Sequence, residues 1–408
     1  MAVLILNGGS SSWKSALFDE IPPDAAEPVP PRAAVSLVWP GENDDATLTS
    51  TVSGEARTRA LRAGRGGEAV RALVAAFRER GLALGDVRAV GHRIVHGGPR
   101  LRATTRIDAA VEAELARLEP LAPEHNRIER AGIDGVRAAL GDVPQFAAFD
   151  TAFHRTLTPE AYAYAGPYAW LARDVRRYGF HGISVAYCVE RFAARAGTEP
   201  AEVDAIVAHL GGGCSVSAVR GGASVDTSMG YTPLDGVPMG TRSGAVDPGI
   251  VLALVREAGA RGLDARASAE AVGATLERGS GLFGLSERSA DVRVLRTARD
   301  AGDGRARLAL DVFARRVAGS IAGMLPSFER WRTLVFTGGI GEHAAFVRAE
   351  ICARLAFAGV ALDGAANAAA SGDATISSPS SAVRVEVIAT REEWFVAREC
   401  ARAAAGGA

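Results

Sequence analysis

Two arginines and two acidic residues lie where they could bind small anions. Arg93 lies in the string GHRIVHGG and Arg242 in PMGTRSG, and the neighbouring glycines let a ligand approach the backbone closely. A guanidinium presents a planar fork of N–H donors that matches a carboxylate or a phosphate. Asp150 and Glu392 each follow a strand-like run, and acids at the carboxyl edge of an open α/β sheet face its ligand site. Such acids can hold Mg²⁺ together with substrate phosphates, although each is equally suited to cap a helix.

Three glycine turns follow apolar runs and suit phosphate binding. They lie at 7–12 (NGGSSS), 211–213 (GGG) and 338–341 (GGIG). Because glycine has no Cβ, the backbone comes close to a ligand and several N–H groups can point at one anion. One such turn is weak evidence, since most of them only reverse the chain, but three in one sequence predict phosphate binding.

Two familiar phosphate motifs do not fit this sequence. The run GSSSWKS resembles a Walker A loop, but Trp13 stands directly before Lys14, where that motif needs glycine. The string 339–344 (GIGEHA) matches a relaxed dinucleotide fingerprint, yet no clear strand ends in an acid about 20 residues further on. Asp363 is the nearest acid, and its surroundings predict a loop. Both a P-loop nucleotidase and a nicotinamide enzyme are therefore disfavoured.

Residue usage singles out one lysine and the histidines. The chain has 45 arginines but one lysine, Lys14, which follows the first glycine–serine run. A lysine kept against so strong a bias predicts a role that arginine does not fill. All seven histidines lie in or beside strings rich in Gly, Asn, Asp or Arg, which indicates a site rather than scattered packing: His92, His96, His125, His154, His181, His209 and His343.

The elements that must position these residues are predicted as an α/β fold. The segments VLILNGGSSSWKSALFD and AIVAHLGGGCSVSAVRGG both show a strand, a glycine turn and a returning strand. This weak repeat begins each half of the chain and predicts a duplicated α/β domain. Hydrophobic periodicity predicts further strands at 88–95, 145–149, 333–337 and 383–389, and helices at 67–81, 108–118, 305–330 (ended or kinked by Pro326), 344–356 and from about 392.

Composition excludes several classes of protein. With 408 residues, 48% hydrophobic and 23% charged, the chain is typical of a globular protein of about two or three domains. Its net charge of -1 gives no electrostatic footprint for nucleic acid or for an anionic membrane. The sequence lacks the run of about 18 apolar residues of a transmembrane helix, and its first apolar run is too short for a signal peptide. The cysteines form neither a C-x-x-C pair nor a zinc spacing, so we expect reduced thiols in the cytoplasm.

A series of strings along the chain resembles the acetate kinase family. In order they are NGGSSSWK, GHRIVHGG, LAPEHN, FDTAFH, RRYGFHG, HLGGG, SVDTSMGYTPLDGVPMGTRSG, DVR, FTGGIGE and TREEW. The resemblance covers about residues 2–400, and the string at 224–244 is its most specific part.

This resemblance implies a fold and an assembly. It implies an α/β protein with two duplicated actin-like ATPase domains, which are ribonuclease-H-like and flank a nucleotide cleft. Residues 1–151 would form an acyl-substrate-side domain, on which a C-terminal helix at about 390–408 packs back, and residues 152–389 a nucleotide-binding domain. It further implies ATP and ADP as substrates, Mg²⁺ (or Mn²⁺) as cofactor, and a homodimer that binds neither nucleic acid nor membrane.

Matching motifs also imply residue roles. The residues that resemble catalytic groups are Asp150, His181, Arg242 and His125. Those that resemble the acyl-binding set are Arg93, Val95, Phe180 and Pro233. Asn7 and Glu392 resemble the metal-site residues. The ATP-binding set comprises Lys14, His209, Leu210, Gly211, Gly212, Gly213, Asp291, Val292, Arg293, Gly339, Ile340, Gly341, Glu342 and His343.

The implied reaction is ATP-dependent phosphorylation of acetate to acetyl phosphate. A carboxylate with a pKa of about 4 to 5 is ionised at neutral pH, so it needs cations to offset repulsion rather than a strong base. The sequence departs from the family pattern at several positions: Glu124 replaces Leu in the acyl pocket, Gly212 an Asn, Ile183 and Val185 a Thr and a His, and His343 and Arg391 an Asn each. Propionate or another short carboxylate therefore remains open as substrate, as do a degenerate paralogue and an actin-like ATPase module.

Overall fold

The computed structural model describes residues 1–9, 12–40, 44–121 and 123–406, without the side chains of residues 123–125. The chain divides into two compact units. Unit 1 comprises Met1–Arg155, Phe180–Tyr187 and Arg391–Ala408, and unit 2 comprises Thr156–Gly179 and Cys188–Thr390. The acyl-side and nucleotide-side roles of the predicted domains 1–151 and 152–389 stay predictions.

Runs of strands and runs of helices follow one another along the described chain. The strands are β1 (Ala2–Gly8), β2 (Ser12–Phe18), β3 (Ala33–Val38), β4 (Asp45–Val52), β5 (Glu55–Arg62), β6 (Val87–Ile94), β7 (Thr105–Arg106), β8 (Gln145–Phe149), β9 (Ala205–Leu210), β10 (Cys214–Arg220), β11 (Ala223–Thr227), β12 (Thr333–Thr337), β13 (Ala374–Thr375) and β14 (Arg384–Val387). The α-helices are α1 (Gly67–Glu79), α2 (Ala109–Leu118), α3 (Pro123–Leu140), α4 (Pro159–Tyr162), α5 (Gly182–Ala196), α6 (Pro248–Ala260), α7 (Ala265–Arg278), α8 (Gly281–Ser286), α9 (Val292–Asp300), α10 (Gly304–Gly323), α11 (Gly338–His343), α12 (Ala345–Ala353), α13 (Gly364–Ala369) and α14 (Glu392–Gly406).

Unit 1 is built on a mixed sheet with the order β5-β4-β3-β2-β1-β6-β8-β7. Strands β1 to β5 form an antiparallel meander, while β6 pairs in parallel with β1, and β8 in parallel with β6. Helix α14 packs on β1, β6 and β8. A Cβ at Gly91 of β6 would lie 2.6 Å from the Cys400 sulfur, so only glycine lets this helix come so close. The predicted C-terminal helix therefore packs on the central strands, with Glu392 at its start.

Unit 2 repeats the central part of this topology. Its sheet has the order β11-β10-β9-β12-β14-β13, in which β9 and β10 form an antiparallel hairpin and β12 pairs in parallel with β9. The hairpin β1–β2 followed by parallel β6 is the same arrangement in unit 1. The predicted α/β class is confirmed, and the repeat seen in the sequence corresponds to these two hairpins.

Two predicted elements differ from the structure. The string predicted as a third glycine turn is instead the short helix α11, which is followed directly by α12. The helix predicted over 305–330 ends at Gly323, and Pro326 lies in a separate 3₁₀ turn. In the described part of the chain, no helix has both the length and the apolar character that a membrane span requires.

Candidate active site

Three parallel strand ends bring the predicted polar residues of unit 1 together. Asn7 lies opposite Arg93 in the register of β1 and β6, and Ile94 lies opposite Phe149 in that of β6 and β8. Asp150 follows β8 directly, and its N–H donates to the Ile94 carbonyl at 3.0 Å. The carboxyl ends of parallel strands share one edge of a sheet, which is why residues so distant in sequence meet here.

Arg93 is the centre of this cluster. Its Nε donates to both carboxylate oxygens of Asp150 at 3.1 and 3.2 Å, and its Nη2 donates to Oδ2 at 2.6 Å. Its Nη1 donates to Asn7 Oδ1 at 3.1 Å and lies 4.0 Å from Glu392 Oε2. The side chain of Asp150 is 2% exposed and that of Arg93 20%, so the fork is fixed while the guanidinium stays accessible.

The charge of Arg93 is held by its neighbours. Burial by itself lowers the pKa of this guanidinium, but the carboxylates of Asp150 and Glu392 outweigh it and place the pKa above its ordinary value. A permanently charged, oriented guanidinium at a sheet edge is suited to bind an anion.

Asn7 and Glu392 offer oxygen atoms that fit a magnesium ion. Both Asn7 Oδ1 and Glu392 Oε2 point at the same Arg93 nitrogen, so they converge on one region. Among the described residues no group of three or more His, Cys, Asp or Glu side chains could hold a metal. Mg²⁺ does not need such a cage, because it usually takes one or two protein oxygens together with waters and substrate phosphates.

His181 is held in a strained conformation beside Asp150. Its φ is +56°, which is rare for a residue other than glycine, and α5 begins at the next residue. The N–H of Gly182 donates to the Asp150 carbonyl at 2.8 Å, and a Cβ at Gly182 would lie only 2.3 Å from that oxygen. Strain of this kind clusters at functional sites, where the surroundings hold it in place.

Buried aromatic rings surround the predicted acyl-binding residue Phe180. The ring of His96 meets Phe180 edge-on at 5.4 Å, and His154 Nε2 lies 3.0 Å from the Phe180 carbonyl. Burial lowers the pKa of His154 to about 4, so its neutral ring donates this bond at neutral pH. Phe180 is thereby fixed next to His181.

Glu129 is a residue of this region that the sequence analysis missed. It lies on α3, is 2% exposed, and both its carboxyl oxygens accept from the N–H of Val95 at 3.2 Å. Burial raises its pKa to about 8, although the Val95 N–H and the charge of Arg93 act against burial. The signal was present in the sequence: Glu129 falls on the buried stripe with Ile133 and Val136, where helical spacing predicts an apolar residue.

The other predicted site residues of unit 1 are Lys14, which lies near this cluster, and two residues on α3. Lys14 is exposed on β2 and lies opposite Asn7, so the two side chains leave the sheet on the same face. His125 and Glu124 fall among the side chains that the structure does not describe.

Unit 2 contains a cavity of about 650 Å³ that collects most of the predicted ATP-binding residues. This volume is within the range of small-molecule and cofactor sites. The predicted residues that line it are Gly211, Gly212, Asp291, Val292, Arg293, Gly339, Ile340 and His343. Those that do not line it are His209, Leu210, Gly213, Gly341, Glu342 and Lys14, the last of which belongs to unit 1. Leu210 is fully buried in β9, and Glu342 Oε1 instead accepts from the N–H and the hydroxyl of Thr390.

Close backbone approaches build this cavity. Gly338 has a φ of +77°, and a Cβ there would lie 2.7 Å from the Leu210 carbonyl, so glycine is needed where β9 meets α11. The N–H of Gly240 donates to the Gly212 carbonyl at 3.4 Å. Arg348 is buried beneath α11 and donates to the carbonyls of Gly341 and Glu342 at 2.8 and 2.7 Å. These contacts explain why the glycine string folds as a helix rather than as an open turn.

The side of the cavity formed by α9 and α12 was predicted only in part, through Asp291, Val292 and Arg293 at the start of α9. Here Arg296 stacks on the Phe346 ring at 5.0 Å, and the Arg293 fork on Asp291 keeps the pKa of that carboxyl below its usual range. The lining residues that the sequence analysis missed are Gly240, Ala290, Arg296, Thr297, Ala344 and Phe346. An aromatic face beside guanidinium groups suits a planar, anionic ligand.

Arg242 and Pro233, the other predicted site residues of unit 2, lie together. Arg242 Nη1 donates to the Pro233 carbonyl at 3.3 Å and lies 3.8 Å from the Met239 sulfur. Arg242 is half-buried, and its charge acts on the buried thiol of Cys214.

Comparison with known proteins identifies the family over nearly the whole chain. Residues 2–398 match the model of the acetokinase family. The chain is 44% identical over 409 residues to an acetate kinase of Gloeobacter violaceus, with 98% of each chain covered. It is 42% identical over 405 residues to one of Microcystis aeruginosa, with 98% of this chain and 99% of that protein covered. Among solved structures, it is similar to an acetate kinase of Porphyromonas gingivalis (TM-score 0.86, 32% identity, 99% of each chain covered). It is also similar to a propionate kinase of Francisella tularensis (TM-score 0.89, 34% identity, 98% of this chain and 99% of that one covered).

Proposed function

The chain belongs to the acetokinase family, and we propose that it transfers the γ-phosphoryl group of ATP reversibly to acetate, giving acetyl phosphate and ADP. It is thus a phosphotransferase with a carboxyl group as acceptor. The observation that carries the proposal is the Arg93 guanidinium, which Asp150 orients by three hydrogen bonds at a sheet edge. A plain ATPase needs no such carboxylate clamp.

The reaction needs positioning more than proton transfer. Acetate is ionised at neutral pH, so one of its oxygens can form the new bond to the γ-phosphorus. The bond between the γ-phosphorus and the β–γ bridging oxygen breaks, and that oxygen leaves as part of ADP. The main obstacle is the approach of two anions, which costs several kcal/mol where water is excluded. Arg93 binds the carboxylate, and Asp150 orients Arg93 rather than taking a proton.

We assign the nucleotide to the cavity of unit 2. Backbone groups of Gly211, Gly212 and Gly339 line it and suit the phosphates, while Phe346 and Arg296 suit the base. Lys14, His181, His125 and Arg242 are proposed to stabilise the charge of the phosphoryl group as it transfers. The assignment of these four residues rests on the motif resemblance and on their types.

Asn7 and Glu392 are proposed to hold Mg²⁺ on the acyl side. Mg²⁺ supplies charge neutralisation for the phosphate oxygens when it is bound. The chain's own part is to keep both oxygens converged through Arg93, whose Nη1 contacts each of them.

A second candidate substrate is propionate. A solved relative with a TM-score of 0.89 is a propionate kinase, so the fold accommodates the longer acid. Val95 and Phe180 of unit 1 are both buried, and they are proposed to set the length of the acyl tail. The motif resemblance alone proposes the same role for Pro233.

We propose further that the chain is a cytoplasmic homodimer. Unit 2 exposes large apolar side chains on α6, where Ile250 is 51% and Leu252 56% exposed, and on α8, where Phe283 is 42% exposed. A second copy of the chain would cover such surface. The four cysteines are buried and form no disulfide, which suits a reducing compartment. Light scattering that gives a monomeric mass, or fractionation that places the chain outside the cytoplasm, would contradict these two assignments.

The function is tested by measuring ADP formation from ATP and Mg²⁺ with acetate, propionate, butyrate or no acid. We expect acid-dependent turnover with the highest kcat/KM for acetate. A higher value for propionate would replace the substrate. Turnover that is independent of acid would support an ATPase instead, and the absence of turnover a degenerate family member.

A further inference from the structure

A buried carboxyl group lies beneath the proposed acyl site, and no cationic side chain among those that the structure describes donates a hydrogen bond to it. Glu129 projects from the apolar stripe of α3, and in the described chain its one hydrogen-bond donor is the N–H of Val95. Most buried acids in this chain are paired differently: Asp150 has Arg93, and Glu114 has Arg117 and Arg100. A carboxyl group is costly to bury in this way, so its retention calls for a reason.

The group that Glu129 holds is part of the proposed acyl site. Val95 directly follows β6, two residues after Arg93, and it is itself a proposed wall of the acyl pocket. The hydrogen bond from Val95 therefore fixes the backbone between the carboxylate-binding guanidinium and the apolar wall. The charged groups that act on Glu129 are Arg93, from β6, and Asp150, which follows β8.

We propose that Glu129 is a positioning residue of the acyl site, which fixes the Val95 wall of the pocket. Its burial without a hydrogen-bonded cation among the described residues favours an uncharged carboxyl group while the carboxylate substrate is bound. This inference rests on the proposed function and deepens it. Arg93 already faces the carboxylates of Asp150 and Glu392. A third negative charge beside it would oppose the binding of an acyl anion, whereas a neutral carboxyl group does not.

The proposal makes acetate binding depend on pH in a defined direction. Burial raises the pKa of Glu129 to about 8, so the group is neutral at pH 7 and ionised at pH 9. If the ionised form binds acetate poorly, the KM for acetate rises about tenfold between these pH values, while the KM for ATP stays nearly constant. This split distinguishes a positioning role in the acyl site from a general structural one.

Two variants test the proposal. Glu129→Gln keeps an acceptor for the Val95 N–H but cannot ionise, so we expect a KM for acetate close to wild type at pH 7 and no rise up to pH 9. Glu129→Leu removes the acceptor at similar size, and we expect the KM for acetate to increase about tenfold at pH 7, with altered selectivity between acetate and propionate. Glu114→Gln, which alters a buried acid on α2, is the matched control and should behave as wild type.

Calorimetric titration with acetate provides a readout that does not need turnover. A wild-type chain that binds acetate but forms no ADP from ATP would contradict the proposed function and still allow Glu129 to be judged from its Kd values. The inference is overturned if acetate does not bind, if Glu129→Gln shows the same pH dependence as wild type, or if folded Glu129→Leu keeps its affinity and selectivity. Circular dichroism confirms folding, and Glu129→Gln decides alone if Glu129→Leu does not fold.

Discussion

At the scale of single residues, the carboxylate of Asp150 determines what Arg93 can do. Three hydrogen bonds from Nε and Nη2 leave Nη1 as the nitrogen that reaches Asn7 and faces Glu392. A guanidinium has a fixed plane, so holding one edge sets the direction of the other. We therefore propose that Asp150 acts on the substrate through Arg93.

Replacing Asp150 by Asn should separate orientation from charge. The amide keeps the shape but loses the ionic fork, so we expect kcat/KM for acetate to fall by about 100-fold or more. Steady-state kinetics across acetate and Mg²⁺ concentrations measure this. Glu114→Gln serves as control, because Glu114 is also buried and held by a two-point fork, from Arg117 on α2. Near-normal turnover and Mg²⁺ dependence in Asp150→Asn would show that the orienting role is wrong.

The site residues that the sequence could predict are those whose neighbours are informative. Arg93 and Asp150 lie in glycine-rich or strand-end strings, so their surroundings indicate both a ligand and a sheet edge. Glu129 and Phe346 lie in ordinary helical strings. What makes them relevant is the surface that packs against them, and a single sequence does not contain that information. The helical stripe of α3 was the one available signal for Glu129.

At the scale of elements, the strand ends and the glycines beside them carry the geometry. The prediction of β1, β6, β8 and β12 succeeded because buried parallel strands are short apolar runs bounded by glycine or an acid. The prediction of β2 succeeded because it returns from a glycine turn as the second strand of a hairpin. Strands β3 to β5 were not predicted: β3 and β4 bury alternate residues, but many of these are small (Ala, Ser and Thr) and give a weak hydrophobic signal, and β5 is largely exposed. Helix α11 was predicted as a turn because its sequence is rich in glycine. The hydrogen bonds from Arg348 to its carbonyl groups, which stabilise the helix, come from a residue outside that string.

One glycine at the start of α5 should be indispensable. In Gly182→Ala the new Cβ would meet the Asp150 carbonyl at 2.3 Å and the Phe153 Cβ at 2.9 Å, so the start of the helix must shift away from Asp150. We expect a loss of about 1–3 kcal/mol of stability together with a lower kcat, since His181 moves with this peptide. Thermal melting and kinetics measure both effects.

A helical glycine elsewhere provides the comparison for Gly182. Gly273 lies within α7 with nothing within 4 Å of its added Cβ, so Gly273→Ala should stabilise the chain by about 0.5–1 kcal/mol without changing kcat. A Gly182→Ala variant as stable and active as Gly273→Ala would contradict the close packing of α5 on Asp150.

At the scale of the whole molecule, buried ionisable groups of unit 1 make the free energy of unfolding depend on pH, with a maximum at one pH. Burial lowers the pKa of His92 and of His154 from 6.5 to about 4, so the unfolded chain binds more protons between these values. Stability therefore falls as pH falls through that window. Glu129 acts in the opposite direction: its pKa is 4.5 when unfolded and about 8 when folded, so the folded chain binds more protons and stability falls as pH rises through that range. Between pH 4.5 and 6.5 the two histidines raise stability with pH more than the one glutamate lowers it. Above about pH 6.5 the effect of the glutamate is the larger one, so stability is highest near pH 6.5.

The alkaline side of this maximum depends on one residue and can be removed. Glu129→Gln cannot ionise, so its melting temperature should rise slightly above pH 6.5, while the two unfolded histidines lose their last protons, and then stay level to pH 8, whereas the wild-type value falls. One proton of difference is worth at most about 1.4 kcal/mol per pH unit, which bounds the effect. Glu114→Gln should keep the wild-type decline, because pairing with Arg117 holds the pKa of Glu114 below its ordinary value and its titration is complete before pH 6.5. Melting curves at half-unit pH steps measure all three proteins. A decline in Glu129→Gln equal to that of the wild type would mean that Glu129 is already ionised at neutral pH, and that another group causes the alkaline loss.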